Sequence, residues 1–326
     1  MKEIRLRFVM NAANSLNERD EAQGEEISLE LLSESTSLIP DESGSIEVCG
    51  KRWIEKSMRK ESTKKNMLST IKWLKRFDSG LTFSRLDSDT LYAFELFLKH
   101  EGLSTNSTAK HIRQLRTLVN EAVNRKLVKF DINPFHIYKV KTVECRHSFL
   151  SPNELARLEK LRTVDDVSEK AGQVLDAFLF CCYTGLRFSD FIRLTADNFS
   201  ELQGHLWLDI VSQKTNVRSR IPLDMVFGGK AIAIMRKYEG REGDLFRMPH
   251  NSTVNRYLKK LAAKANIQKR ISFHTSRHTN ATSLLFSGAK LTTVQKLMGH
   301  RSVKTTQCYA EIMSETILRD LSACKF

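Results

Sequence analysis

Gly299-His300-Arg301-Ser302-Val303-Lys304-Thr305-Thr306-Gln307-Cys308-Tyr309 is the stretch on which the reading of this chain turns. A glycine placed to end a helix leaves the His300 ring just beyond that end, and a phenol follows nine residues later. Upstream, His274-Thr275-Ser276-Arg277 sets an imidazole and a guanidinium three residues apart, on one face of a helical segment. Further back, Lys214 lies in the turn between two runs of strand character, 206–211 and 218–223. Thr184-Gly185-Leu186-Arg187 then places a second guanidinium directly after a helix-ending Thr-Gly.

Two arginines, two histidines, a lysine and a tyrosine suit one chemical problem. A phosphodiester is an anion that repels nucleophiles, and its transition state gathers more charge on the non-bridging oxygens. Arg187 and Arg277 answer both difficulties, because a guanidinium offers parallel donors matched to two phosphate oxygens. A nucleophilic Tyr309 must lose a proton whose ordinary pKa is about 10, so it needs cationic surroundings or a base. The leaving alkoxide needs a proton donor, and Lys214 on its turn is the residue best placed for that role. General acid catalysis of this type typically contributes ~10² to 10⁴ in rate.

The 326 residues exceed what one hydrophobic core usually organises, so two domains with an appendage are expected. Net charge is +14, and its distribution is uneven. Residues 1–50 hold four Lys/Arg and eleven Asp/Glu, a balance of −7, which leaves +21 on the rest. That basic body is a candidate nucleic-acid clamp, whereas the acidic head is not expected to touch DNA. The longest apolar stretch, 177–186, is about half a membrane span, and no signal-peptide-like run follows the N-terminus. A cytoplasmic, nucleoid-associated protein with no membrane partner is therefore expected. The six cysteines include no C-x-x-C pair, and Cys181-Cys182 falls in an apolar helix, which favours reduced structural thiols.

Residues 1–43 mix charge with Ser, Gly and Asn and read as a short acidic extension. Residues 44–130 carry four helical patterns. The second turns Met67, Ile71, Leu74 and Phe77 to one side and Lys64, Lys65, Lys72, Lys75 and Arg76 elsewhere. The fourth, about 106–126, turns Ile112, Leu115, Val119 and Ala122 inward, while Lys110, Arg113 and Arg116 recur at threefold spacing. Those three are candidates to line a phosphate backbone; the plainer alternative for each is a solvated helix face. Residues 131–147 read as a basic linker broken at Asn133-Pro134, with Lys139, Lys141 and Arg146 as further DNA-binding candidates. Ser151-Pro152-Asn153-Glu154 is a capping box with proline at the first helical position, so a second, mostly helical domain starts here and runs over 148–326.

In that order and with those local spacings, Arg187, Lys214, His274, Arg277, His300 and Tyr309 match a known pattern: an arginine in a T-G-L-R box, a hairpin lysine, H-x-x-R, G-H, then tyrosine. The chain resembles the tyrosine recombinases of the phage-integrase family from about residue 44 to its end. The resemblance implies a mainly α fold with a small β-sheet, arranged as a two-domain C-shaped clamp. A helical, SAM-like core-binding domain would be followed by a catalytic domain ending in an exchange helix, for which Ile312, Ile317, Leu318 and Leu321 are suitably spaced. It implies that Tyr309 attacks a DNA phosphate to give a 3′-phosphotyrosine and a free 5′-hydroxyl. Arg187, Arg277 and His300 would stabilise the transition state, His274 would assist proton transfer at the tyrosine, and Lys214 would protonate the leaving oxygen. No metal or other cofactor is implied. The partners implied are double-stranded DNA with an inverted-repeat core site, a homotetramer on two such sites, and accessory DNA-bending proteins.

Three other readings compete. His274 and His278 are four apart, as in a zinc hydrolase, but Thr275 stands where that motif needs glutamate. A type IB topoisomerase shares the chemistry, although the boxes match recombinases better. A catalytically inactive DNA-binding regulator would have no reason to keep Lys214 and Tyr309 in register. Among recombinases, integration and excision of mobile DNA, inversion and chromosome dimer resolution share this chemistry; the short acidic head favours a simple recombinase or invertase, with a reduced integrase left open.

Overall fold

A computed structural model describes residues 44–129, 131, 133–144, 148–163, 167–241, 243–309 and 321–322. The acidic head, Arg146 and nearly all of the expected exchange helix lie outside these residues. The chain divides into two compact units, one up to Glu144 and the other from Cys145. Among the described residues no helix is long and apolar enough to cross a membrane.

The first unit contains α1 (Ile46–Lys56), α2 (Glu61–Phe77), α3 (Ser88–His100) and α4 (Thr105–Asn124). Ser45, Asp87 and Ser104 cap α1, α3 and α4 by accepting from the backbone N–H of Val48, Thr90 and Ser107. The predicted inward stripes are buried: Met67, Ile71 and Leu74 on α2, and Ile112, Leu115, Val119 and Ala122 on α4. Phe77 is only partly covered and packs at the margin of the same core. The stretch read as a linker contributes to this core as well. Asn133 caps a short 3₁₀ turn, Pro134–His136, which drops Phe135 and Tyr138 into the unit at 4% and 3% exposure. These two aromatics, which lie between Pro134 and Lys139, were masked in the sequence by the lysines around them; burial of large rings outweighs the extended bias of an Asn-Pro step.

The second unit opens with α5 (Pro152–Lys160), where Ser151 and Glu154 form the predicted capping box with Pro152 at its start. Its centre is α6 (Glu169–Thr184), buried continuously from Val174 to Thr184. The helices α8 (Lys230–Met235), α9 (Asn251–Lys264) and α10 (Phe273–Phe286) pack around α6. Phe180, Phe191, Phe246 and Phe273 interlock beside it, with the Phe191 and Phe246 centroids 4.5 Å apart. Cys181 and Cys182 lie in this packed layer, where burial pushes both thiols well up, as expected of inert structural cysteines.

A three-stranded antiparallel sheet interrupts the helices after the short α7 (Phe188–Phe191): β1 (Phe199–Leu202), β2 (His205–Val211) and β3 (Arg218–Pro222), in that order. The register pairs Leu208 with Ile221 and Ile210 with Ser219. The second and third strands were predicted; β1 was not. Its side chains run from half-buried to exposed without alternation. The Gln203-Gly204 turn that joins it to β2 has both residues at positive φ, a conformation normally announced by Asn-Gly or Asp-Gly. The mainly α fold with a small sheet is otherwise as expected. After α10 come α11 (Leu291–Met298) and α12 (Val303–Gln307), the latter too short to leave a periodic signal.

Candidate active site

Two left-handed glycines build the site. Gly185 ends α6 at φ 71°, and Gly299 ends α11 at φ 60°. A β-carbon on Gly185 would lie 2.6 Å from Asn280 Oδ1 and 2.8 Å from Met298 Sδ; on Gly299 it would lie 2.5 Å from Ser219 Oγ. Helix α6, helix α10, helix α11 and strand β3 therefore meet at a point where only hydrogen fits.

Arg277, 3% exposed, crosses that junction. Its guanidinium donates to the Gly185 carbonyl at 2.6 Å and to the Met298 carbonyl, both at helix C-termini where carbonyls lack intrahelical donors. Burial, reinforced by the neighbouring Arg187 charge, pushes Arg277 down to about 9, still protonated at neutral pH. Arg187 stands at the start of α7 and donates from Nη1 to Ser212 Oγ at 3.0 Å.

Ser212 opens the turn that carries Lys214. The turn is closed by Asn216 N donating to Ser212 O (2.8 Å) and Ser212 N donating to Val217 O (3.0 Å). Lys214 itself is exposed. The turn is tied down on two sides. Gln213 N donates to Asp190 Oδ1 at 2.9 Å, and Thr215 Oγ1 donates to the Gly299 carbonyl at 3.2 Å. Asp190, 2% exposed, also lies 3.8 Å from Arg187 and 3.4 Å from Arg193. One buried carboxylate thus joins the arginine to the lysine turn. The sequence reading missed Asp190, although a carboxylate three residues after Arg187 in an apolar context was a signal for it.

His300 is 7% exposed and its Nδ1 lies 2.9 Å from Thr306 Oγ1, a fully buried hydroxyl. Burial, with Arg277, Arg187 and His274 nearby, pushes His300 down to about 3, so the ring is neutral at pH 7. Tyr309 is 9% exposed and stacks on His300, with centroids 6.2 Å apart and planes 11° apart. The His278 ring also lies against it, at 5.3 Å. Burial raises the Tyr309 pKa, while Arg277 and Arg187 pull it the other way. The expected cationic surroundings are present, and desolvation outweighs them. His274 is exposed at the start of α10 and meets His278 edge-on at 4.7 Å.

Arg187, Arg277, His300 and Tyr309 are therefore brought together at one junction, with His274 at its edge and Lys214 on a turn fastened to it. The DNA-binding candidates are more dispersed. Lys110, Arg113 and Arg116 lie exposed along α4; Lys110 donates to Asn66 Oδ1 at 2.7 Å, and Arg116 sits over the Phe135 ring. Lys139 and Lys141 are exposed, and Arg146 is outside the described residues. A basic groove of about 880 Å³ on the second unit went unnoticed: Arg256 and Lys259 of α9 face it together with Arg270. Its sequence signal was the same threefold spacing of cations that marked α4.

Residues 148–315 match the phage integrase family, and residues 51–140 match the phage integrase SAM-like domain. The chain is an enzyme of the tyrosine recombinase class and belongs to the phage integrase family. It is similar to the tyrosine recombinase XerD of Oceanobacillus iheyensis, 29% identical over 80% of this chain and 89% of that protein. It is likewise similar to the tyrosine recombinase XerC of Bacillus subtilis, 31% identical over 67% of this chain and 74% of that one. In structure it is similar to a lambda integrase tetramer bound to a Holliday junction, with a TM-score of 0.68 at 18% identity, over 84% of this chain and 80% of that chain.

Proposed function

We propose that this enzyme cuts and rejoins double-stranded DNA at a specific site through a 3′-phosphotyrosine on Tyr309. The observation that carries the reading is the burial of that one phenol against Arg277, Arg187 and His300. In the cleavage step the Tyr309 oxygen bonds to phosphorus as the bond to the 5′-oxygen breaks. The phenolic proton leaves through His274, and Lys214 gives a proton to the departing 5′-oxygen. Arg187 and Arg277 hold the non-bridging oxygens, and neutral His300 donates a further hydrogen bond to them. The ester energy is retained in the covalent link, so attack by a partner strand's 5′-hydroxyl reverses the step and joins new ends.

Residues 44–130 would serve as a core-binding domain and 148–326 as the catalytic one. Lys110, Arg113, Arg116, Lys139, Lys141 and Arg146 would grip the phosphate backbone, joined by Arg256 and Lys259. Two sites would be held by four protomers, an assembly supported by the lambda integrase tetramer. The outcome we assign is integration and excision of mobile DNA or inversion of a segment, at inverted repeats, in the cytoplasm.

A nicked suicide substrate built on the inverted repeats flanking the gene tests the reading. Wild-type protein is expected to form a covalent protein–DNA adduct and Tyr309→Phe none. No adduct with wild type, or an adduct with Tyr309→Phe, overturns it.

A further inference from the structure

We infer that His278 is a positioning residue for strand cleavage: its ring holds the Tyr309 phenol in register with the arginine pair. The inference rests on the reading of Tyr309 as the nucleophile.

Tyr309 follows α12, a helix of five residues, and its N–H donates within the local turn, to Thr306 O at 3.1 Å. So little regular structure does not by itself fix where a long side chain points. Arg277 hydrogen-bonds the phenol, and two imidazole rings pack against it. His300 lies at 6.2 Å, nearly parallel, and His278 lies closer, at 5.3 Å and inclined by 48°. His278 in turn meets His274 edge-on at 4.7 Å and 88°.

The two rings are held for different reasons. His300 is held by Thr306. His278 is 8% exposed and sits mid-way along the most heavily anchored turn of α10. There Arg277 binds the Gly185 and Met298 carbonyls, Thr279 Oγ1 accepts from Leu150 N at 3.0 Å, and Asn280 donates to the Cys182 carbonyl at 3.0 Å. The backbone under His278 is thus bolted to the ends of α6 and α11 and to the segment before α5. The charged and titratable groups around the ring and the phenol are His274 and Arg277 on its own helix, Tyr309 after α12, and Arg187 and His300. A flat ring at this point restrains the phenol sideways, and a misplacement of 1 Å at a reacting atom costs on the order of 10²-fold in rate.

Single-turnover adduct formation on the suicide substrate decides the matter, with DNA affinity measured alongside. His278→Ala is expected to slow adduct formation about 10- to 100-fold while DNA affinity stays within about twofold. His278→Phe, a flat ring without a titratable nitrogen, is expected to recover the rate to within about threefold, with an unchanged pH profile. If His278→Ala melts below the assay temperature, His278→Leu supplies the comparison, since it keeps bulk and loses the plane. Cleavage by the Ala or Leu variant at the wild-type rate overturns the inference. So does a Phe variant as slow as Ala with a displaced limb of the pH profile, which would make His278 a proton carrier. A wild-type protein that forms no adduct would count against the proposed function itself.

Discussion

Gly185 is the residue on which most of the site depends. Its φ of 71° would be strained for any L side chain, and the β-carbon would strike Asn280 and Met298 while displacing the carbonyl that Arg277 binds. Gly185→Ala is expected to lower unfolding free energy by about 2–4 kcal/mol in urea titrations, and to reduce adduct formation further than that loss explains. His300 makes a prediction of a different kind. Its folded pKa of about 3 lies below the unfolded value of about 6.5, so between those values the unfolded chain binds more protons. Stability therefore falls as pH drops through that window. His300→Gln is expected to flatten the dependence of melting temperature on pH between 6.5 and 4; an unchanged slope would show that His300 is not the group responsible. The places of both residues were legible, as a glycine at a helix end and an imidazole after one. The depression of the imidazole was not, because it arises first from burial and then from Arg277 and Arg187, which approach from other parts of the chain.

Among the elements, helices with one apolar stripe were readable and short pieces were not. The stripe on α4, with Ile112, Leu115, Val119 and Ala122 inward, follows from 3.6-residue periodicity alone. Strand β1 and helix α12 carry too few residues to show a period, and tertiary packing, not local preference, holds them in place. The turn between β2 and β3 illustrates the same limit. Lys214 was recognisable as a turn lysine, but the fastening of that turn to the Gly299 carbonyl by Thr215 joins residues 84 apart in the chain. Thr215→Val is expected to change stability by only about 0.5–1.5 kcal/mol, the usual worth of one such bond. It is expected to slow cleavage about tenfold on an ordinary substrate, and much less on one whose leaving oxygen is replaced by sulfur, which departs without a proton. Equal slowing on both substrates would mean that the bond does not serve Lys214.

At the scale of the whole molecule, charge is the property that sequence reports best. The balance of +21 outside the first 50 residues predicts steep salt dependence of DNA binding. Single Ala replacements of Lys110, Arg113 and Arg116 are each expected to reduce the slope of log affinity against log salt by about 1, uniformly across DNA sequences. A slope unchanged by all three would return them to a solvated face. The sequence by itself determined the class of fold, since apolar spacing and caps are local, and it determined which six side chains to watch, since their order along the chain is a one-dimensional property. Only the tertiary structure decided that Asp190 ties the first arginine to the lysine turn and that Tyr309 lies buried against two imidazoles. The bond from Gln213 to Asp190 and the contact of His278 with Tyr309 join separate elements of the fold, and a pattern read along one strand of residues carries no distance between such elements.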